Sequence, residues 1–210
     1  MQKKQIPLIV DQPVLIVVDI QKSGIGDVST AIPIMPGADE NTYRARSVID
    51  AARENDIPIV FLQEIHRKSG VDYGREMDGD EDEHLREDWP ETEIAADVVG
   101  LREDDYVVQK RRYSGFIGTD LEILLRGLRA QTLFLVGGLT NICVHYTFAD
   151  AHQKDFHVRV VEDCVCGSSI DAHNAALNNM EYLQHGARRT AAEIIDAFNT
   201  YGASAKSKVA

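Results

Sequence analysis

Sulfur is scarce in this chain, positive charge is outnumbered by negative, and long apolar runs are absent. With 3 cysteines in 210 residues a disulfide scaffold is excluded. Cys164 and Cys166 flank a single valine, too close to bridge comfortably, so reduced thiols in a cytoplasm are expected. No stretch approaches the roughly 18 apolar residues that span a bilayer, and no apolar segment follows the opening Met-Gln-Lys-Lys. Neither a membrane span nor a signal peptide is expected. Lys and Arg number 22 against 34 Asp and Glu, a net charge of −12 with neutral histidines. That balance argues against nucleic acid, whose binding depends on cationic surface, and small molecules are the expected partners. What is present is ordinary for a globular protein, 44% hydrophobic and 27% charged residues. Without a linker, repeat or low-complexity tract, residues 1–210 are expected to form one domain.

Apolar runs of strand length alternate with amphipathic segments of helix length. Residues 14–19, Val-Leu-Ile-Val-Val-Asp, form a continuous apolar run closed by a carboxylate, as in a parallel strand covered on both faces. A helix is expected over 41–55, and further strands over 57–63, 106–108, 132–136 and 158–161, with a short sixth after Gly186. Thr119-Asp120-Leu121-Glu122 fits a capping box, followed by an apolar stripe at Leu121, Leu124, Leu125 and Leu128. Ser168 with Asp171 and Thr190 with Glu193 give similar start signals. Gly186 and Gly202 stand where helices end, and the tail 203–210 is expected to fray. The alternation predicts an α/β fold, a doubly wound and mostly parallel six-stranded sheet with helices on both faces. Residues 64–90 break the rhythm and are expected to form an excursion over the strand ends.

Open α/β sheets bind ligands beyond the carboxyl ends of their strands. Asp19 closes the first strand, Lys110 the third, and Cys143 follows the fourth in Gly137-Gly138-Leu139-Thr140-Asn141-Ile142-Cys143. A carboxylate, an ammonium and a thiol would thus meet at one sheet edge. Thr140 has the character of an N-cap, which puts Cys143 in a first helical turn, where free N–H groups favour a thiolate. Lys110 would push its pKa down further, and Asp19 would carry the proton.

The runs Val17-Val18-Asp19-Ile20-Gln21, Lys110-Arg111-Arg112-Tyr113-Ser114-Gly115-Phe116 and Gly138-Leu139-Thr140-Asn141-Ile142-Cys143-Val144 resemble the three signature segments of the isochorismatase-like cysteine hydrolases. The resemblance extends over about residues 14–198. It implies the strand order 3-2-1-4-5-6, a catalytic triad of Asp19, Lys110 and Cys143, and a cis peptide at Gly138–Leu139. It also implies an oxyanion hole built from the N–H groups of Leu139 and Cys143, and a homo-oligomer, with a tetramer favoured. Isochorismatases proper lack the cysteine, so Cys143 implies hydrolysis of a C–N bond. The signature segments are closest to those of ureidoacrylate, biuret and carbamoyl-amide hydrolases, which implies a small ureide or amide substrate. Glu64, His66, Tyr113 and the Asn141 backbone are the expected polar partners, with Phe116 as an apolar wall. Residues 22–37, 64–89 and 163–169 are expected to supply the pocket walls.

Nicotinamidases of this family bind a metal through an Asp-x-His pair and another His shortly after. Here Glu64-Ile65-His66 stands at that place and no further His occurs until His84, so no metal and no cofactor are expected. A metal-assisted, nicotinamidase-like hydrolase is the alternative. A thiol redox protein is disfavoured because no Cys-x-x-Cys motif is present. The series Asp78, Asp80, Asp82 lacks the Gly and Glu of a calcium loop, Gly24-Ile25-Gly26 lacks the third glycine of a dinucleotide fingerprint, and Cys164 with Cys166 lack partners for zinc. His145 does not face Cys143 on a helix.

Overall fold

The computed structural model describes residues 6–26 and 32–209. Among them, six strands form one parallel sheet in the order β3-β2-β1-β4-β5-β6. The strands are β1 (Gln12–Val18), β2 (Ile59–Glu64), β3 (Tyr106–Lys110), β4 (Ala130–Gly138), β5 (His157–Cys166) and β6 (Arg188–Arg189). The helices are α1 (Ala38–Glu54), α2 (Ala96–Val99), α3 (Leu121–Gly127), α4 (His145–Gln153), α5 (Ile170–Leu183) and α6 (Ala191–Val209). The expected fold class and strand order are both observed.

Burial of β1 on two sides explains its unbroken apolar run. Val14, Ile16 and Val18 join one core with Leu121, Leu125 and Phe148 of α3 and α4. Leu15 and Val17 point to the other face, where Ala45, Val48 and Ile49 of α1 meet Ile194 and Phe198 of α6. A pleated strand sends successive side chains to opposite faces, so both faces must be apolar.

The strands run beyond the apolar stretches that announced them. β4 and β5 reach Gly138 and Cys166, and there β1 and β4 approach closely. At Gly137 (φ 111°) a Cβ would lie 2.0 Å from the Val18 carbonyl oxygen, so only glycine fits.

Several expected caps differ. Thr119 accepts from the Leu121 N–H at 3.2 Å, while Glu122 pairs with Lys154 at 2.6 Å, so no capping box closes there. Ser169, not Ser168, caps α5 by accepting from Ala172 N–H. Thr190 and Glu193 do cap each other. Gly202 lies inside α6, not at its end, and Asn55 packs so close there that a Cβ would lie 2.1 Å from its Oδ1. The tail expected to fray continues α6 to Val209.

Candidate active site

Sheet register assembles the site. β2 and β3 pair Glu64 with Lys110, and Val18, the last residue of β1, pairs with Leu62. Asp19 then turns off β1 with φ 48° and accepts the Glu64 N–H at 3.0 Å. Cys143 sits in a π-helical turn, Thr140–Val144, between β4 and α4. The fully buried Lys110 ammonium reaches Asp19 Oδ2 at 2.8 Å and Cys143 Sγ at 3.5 Å, and also contacts Glu64 Oε2. Cys143 Sγ is 3.4 Å from the same Glu64 oxygen. The three expected catalytic residues therefore converge, and Glu64 joins them as a fourth. The sequence points to Glu64 as a polar substrate partner, or as a metal ligand in the alternative reading, and not as a neighbour of the triad.

Charge explains why the lysine tolerates the interior. Desolvating an unpaired ammonium costs several kcal/mol. Burial works against the Lys110 charge, but Asp19, Cys143 and Glu64 outweigh it and hold its pKa well above the lysine range. Burial pushes Asp19 up to about 6, against the pull of Lys110. The thiol corrects an expectation. Burial, with Glu64 and Asp19 beside it, overrides Lys110 and holds the Cys143 pKa well above the ordinary thiol value. Nor is Thr140 an N-cap, because its hydroxyl pairs with His173 Nδ1 at 2.9 Å. The resting site at neutral pH thus holds a thiol, a carboxylate on Asp19 and an ammonium.

The Gly138–Leu139 peptide is cis, as the resemblance implied. The Leu139 carbonyl accepts the N–H groups of Ile142 and Val144 at 3.0 and 3.1 Å, which removes those two from any role toward a ligand.

An open cleft of about 690 Å³ lies over Cys143. Its walls include Ile25, Ile34, Leu85 and Ile142, with Glu81 and Tyr113 as polar members. The expected wall segments all contribute, although residues 27–31 lie outside the described residues. Three expected substrate partners are placed elsewhere. Phe116 is packed in the core, its ring 6.3 Å from that of Phe156. Asn141, whose backbone was the expected partner, does not line the cleft, and its side chain is engaged with the backbone N–H and the hydroxyl of Ser168. His66 is fully buried beneath Glu64 and does not line the cleft.

What buries His66 is the excursion after β2. Tyr73 stacks on its ring at 4.2 Å and bonds the backbone of His84, while His66 and Arg86 form an isolated bridge. This folding brings Glu64, His66, Glu76 and His84 together, with one donor atom of each within 4.8 Å of the others. The expectation that the Glu64–His66 pair lacks further ligands is thereby overturned. Two imidazoles and two carboxylates suit zinc, iron or manganese, and Glu76 Oε1 is buried with no hydrogen-bond donor. The set fits a divalent metal. Without one, burial opposes charge on His66, yet hydrogen bonds to Glu64 and Glu76 raise its pKa to about 9. Burial likewise opposes the Glu64 charge, yet Lys110 and the two histidines hold that carboxyl well below its usual range. Among the described residues, Asp19, Glu64 and Cys143 are the other group with metal-ligating atoms this close, but Lys110 already supplies their cation.

Comparison with known proteins accords with this geometry. The Isochorismatase domain profile matches residues 13–194. The chain belongs to the isochorismatase family. The ureidoacrylate amidohydrolase RutB of Yersinia enterocolitica is 30% identical over 195 residues, covering 80% of this chain and 81% of that protein. A pyrazinamidase of Pyrococcus horikoshii in complex with zinc shares 27% identity at a TM-score of 0.72, over 85% of this chain and 98% of its own. A cysteine hydrolase from Pseudomonas syringae pv. phaseolicola 1448A superposes with a TM-score of 0.82 over 96% of this chain and all of its own. At 24% identity that last likeness speaks for the isochorismatase-like fold alone.

Proposed function

We propose that this isochorismatase-family chain is a cysteine-dependent amidohydrolase that cleaves the C–N bond of a small amide or ureide through a covalent acyl intermediate. The observation that carries the reading is the meeting of Lys110 Nζ, Asp19 Oδ2 and Cys143 Sγ under the cleft. Asp19 takes the thiol proton, and the Cys143 sulfur adds to the substrate carbonyl carbon, moving the C=O electron pair onto oxygen. The N–H groups of Leu139 and Cys143 receive that oxyanion. Collapse breaks the C–N bond, and the leaving nitrogen takes the proton from Asp19. A thioester, or a thiocarbamate from a ureide, stays on Cys143. Water then gives a proton to Asp19 and adds to the carbonyl, and the departing thiolate recovers that proton. Lys110 stays charged throughout and offsets the negative charge that moves between Asp19 and sulfur.

Ureides are the first substrates to test, because the RutB relative is named for hydrolysis of one. The donor cluster favours a second, metal-assisted reading, and the zinc-containing pyrazinamidase supports it. Glu64, His66, Glu76 and His84 would hold the ion, which would supply Lewis acidity beside Glu64. The test is ammonia release over ureides, aliphatic primary amides and nicotinamide. Turnover of at least one class, lost in Cys143→Ala, is expected. Turnover that survives Cys143→Ala contradicts the proposal.

A further inference from the structure

Among the described residues, the Asp, Glu, Lys and Arg side chains that line the cleft are all carboxylates. Asp19, Glu64 and Glu81 line it, and among the described residues no lysine or arginine does. Lys110, behind the wall, answers the first two. Glu81 has no such partner. Its Oε2 accepts the Tyr113 hydroxyl at 2.9 Å, and among the described residues no lysine or arginine pairs with it. It comes from the excursion, on a segment between Asp78 and His84, whereas Tyr113 follows β3. The two meet in the wall of the cleft from separate parts of the chain. Glu81 is half-buried, so water screens its charge less than on an open surface.

Of the other polar side chains of the wall, Ser23 and Thr42 are uncharged and Gln21 is already committed. Gln21 donates to the carbonyls of Glu64 and Thr92 and accepts the Glu64 N–H. Glu81 is therefore the carboxylate of the wall that is held by Tyr113, has no lysine or arginine partner among the described residues, and is open to a substrate. Ile25, Ile34 and Leu85 are among the apolar residues of the same wall.

We infer that Glu81, held by Tyr113, is a specificity-determining residue that selects amides with an uncharged N–H or a cationic amine at the far end and rejects those with a carboxylate. The inference rests on the amide-hydrolase reading and narrows its substrate class. An N–H or ammonium donates to the Glu81 carboxylate in a charge-assisted bond. A substrate carboxylate beside Glu81 meets like charge where, among the described residues, no lysine or arginine lines the wall, and like-charge juxtaposition is strongly unfavourable when desolvated. Acid-bearing ureides would then be poor substrates, despite the likeness to an enzyme named for one.

The test separates binding from turnover. Three primary amides of matched length, 4-aminobutanamide, 4-hydroxybutanamide and succinamic acid, are titrated calorimetrically into Cys143→Ala protein at pH 8. Succinamic acid is expected to bind at least tenfold more weakly than the hydroxyl compound, and the amine at least as tightly. Adding Glu81→Gln should bring all three within about threefold of one another. Adding Tyr113→Phe, which frees a Glu81 oxygen, should move selectivity the opposite way, toward the amine. Equal affinity for acid and alcohol, a gap that Glu81→Gln leaves in place, or no binding by any of the three overturns the inference. Charge-selective binding by the cysteine variant, with no amide turned over by the wild-type enzyme, overturns the hydrolase reading and leaves the charge selection standing.

Discussion

Glu64 divides two clusters that treat charge in different ways. Toward the sheet, Lys110 is locked between Asp19, Glu64 and Cys143, each on or next to a strand end. Toward the excursion, the same carboxylate meets His66 and His84, with Glu76 behind them, and no lysine or arginine closes the group among the described residues. The first cluster is complete with its own cation, and the second has donor atoms for one that the chain does not supply. A parallel sheet can hold a lysine rigidly because backbone register fixes its neighbours. A loop outside the sheet, fixed by one short backbone bridge and scattered turn and side-chain bonds, holds donors around a site that a bound ion would tie together.

The sharpest way to break this division is to remove the thiol. Cys143→Ala should lower kcat by about 10³-fold or more, and adding Asp19→Asn or Lys110→Ala should lower it little further, because the three act as a unit. Steady-state rates with circular dichroism of each variant decide this. Multiplicative losses would mean independent roles.

Stability should split the same way. Gly137→Ala forces a Cβ against the Val18 carbonyl between β1 and β4 and should cost about 3 kcal/mol or prevent folding. Gly79→Ala, with open space around it in the excursion, should stay within about 0.5 kcal/mol of the parent. Urea titration distinguishes them, and equal losses would contradict a rigid strand-end side.

Metal content sharpens the other half. Purified protein should carry about one equivalent of zinc, iron or manganese per chain, measured by plasma mass spectrometry. His84→Ala or Glu76→Gln should weaken binding about 10- to 100-fold. Protein that carries no ion, and takes up none on titration, would mean the four donors serve the excursion alone.

The smallest effect is the pH profile. Asp19 has a raised pKa of about 6, so it is protonated below that pH and cannot take the thiol proton. The sign follows: kcat/KM should fall as pH drops through about 6 and level off above it. A profile flat to pH 5 would assign the proton transfer elsewhere.

The two clusters also differ in how far the sequence discloses them. Asp19, Lys110 and Cys143 close or follow apolar runs, so the strand-end rule for open sheets reaches all three. The alternation likewise predicts the fold, because β1 must be apolar on both faces. Glu76 and His84 lie in a segment with no period, and no spacing signal ties them to His66. Only the folded excursion, with Tyr73 on the His66 ring, brings them within reach. Phe116 fails for another reason. An aromatic next to a signature segment suits a pocket wall and a core equally well, and packing against Phe156 decides for the core. The direction of the Cys143 pKa is not legible in the sequence, because helix position and Lys110 show there while burial and Glu64, which outweigh them, show only in the fold.

The central claim is a covalent intermediate on Cys143. The most direct measurement is intact-protein mass spectrometry on enzyme quenched in acid during turnover of an amide it hydrolyses, followed by peptide mapping. The account predicts an added acyl or carbamoyl mass on the peptide that contains Cys143, absent when substrate is omitted. An adduct mapped to any other residue would contradict it.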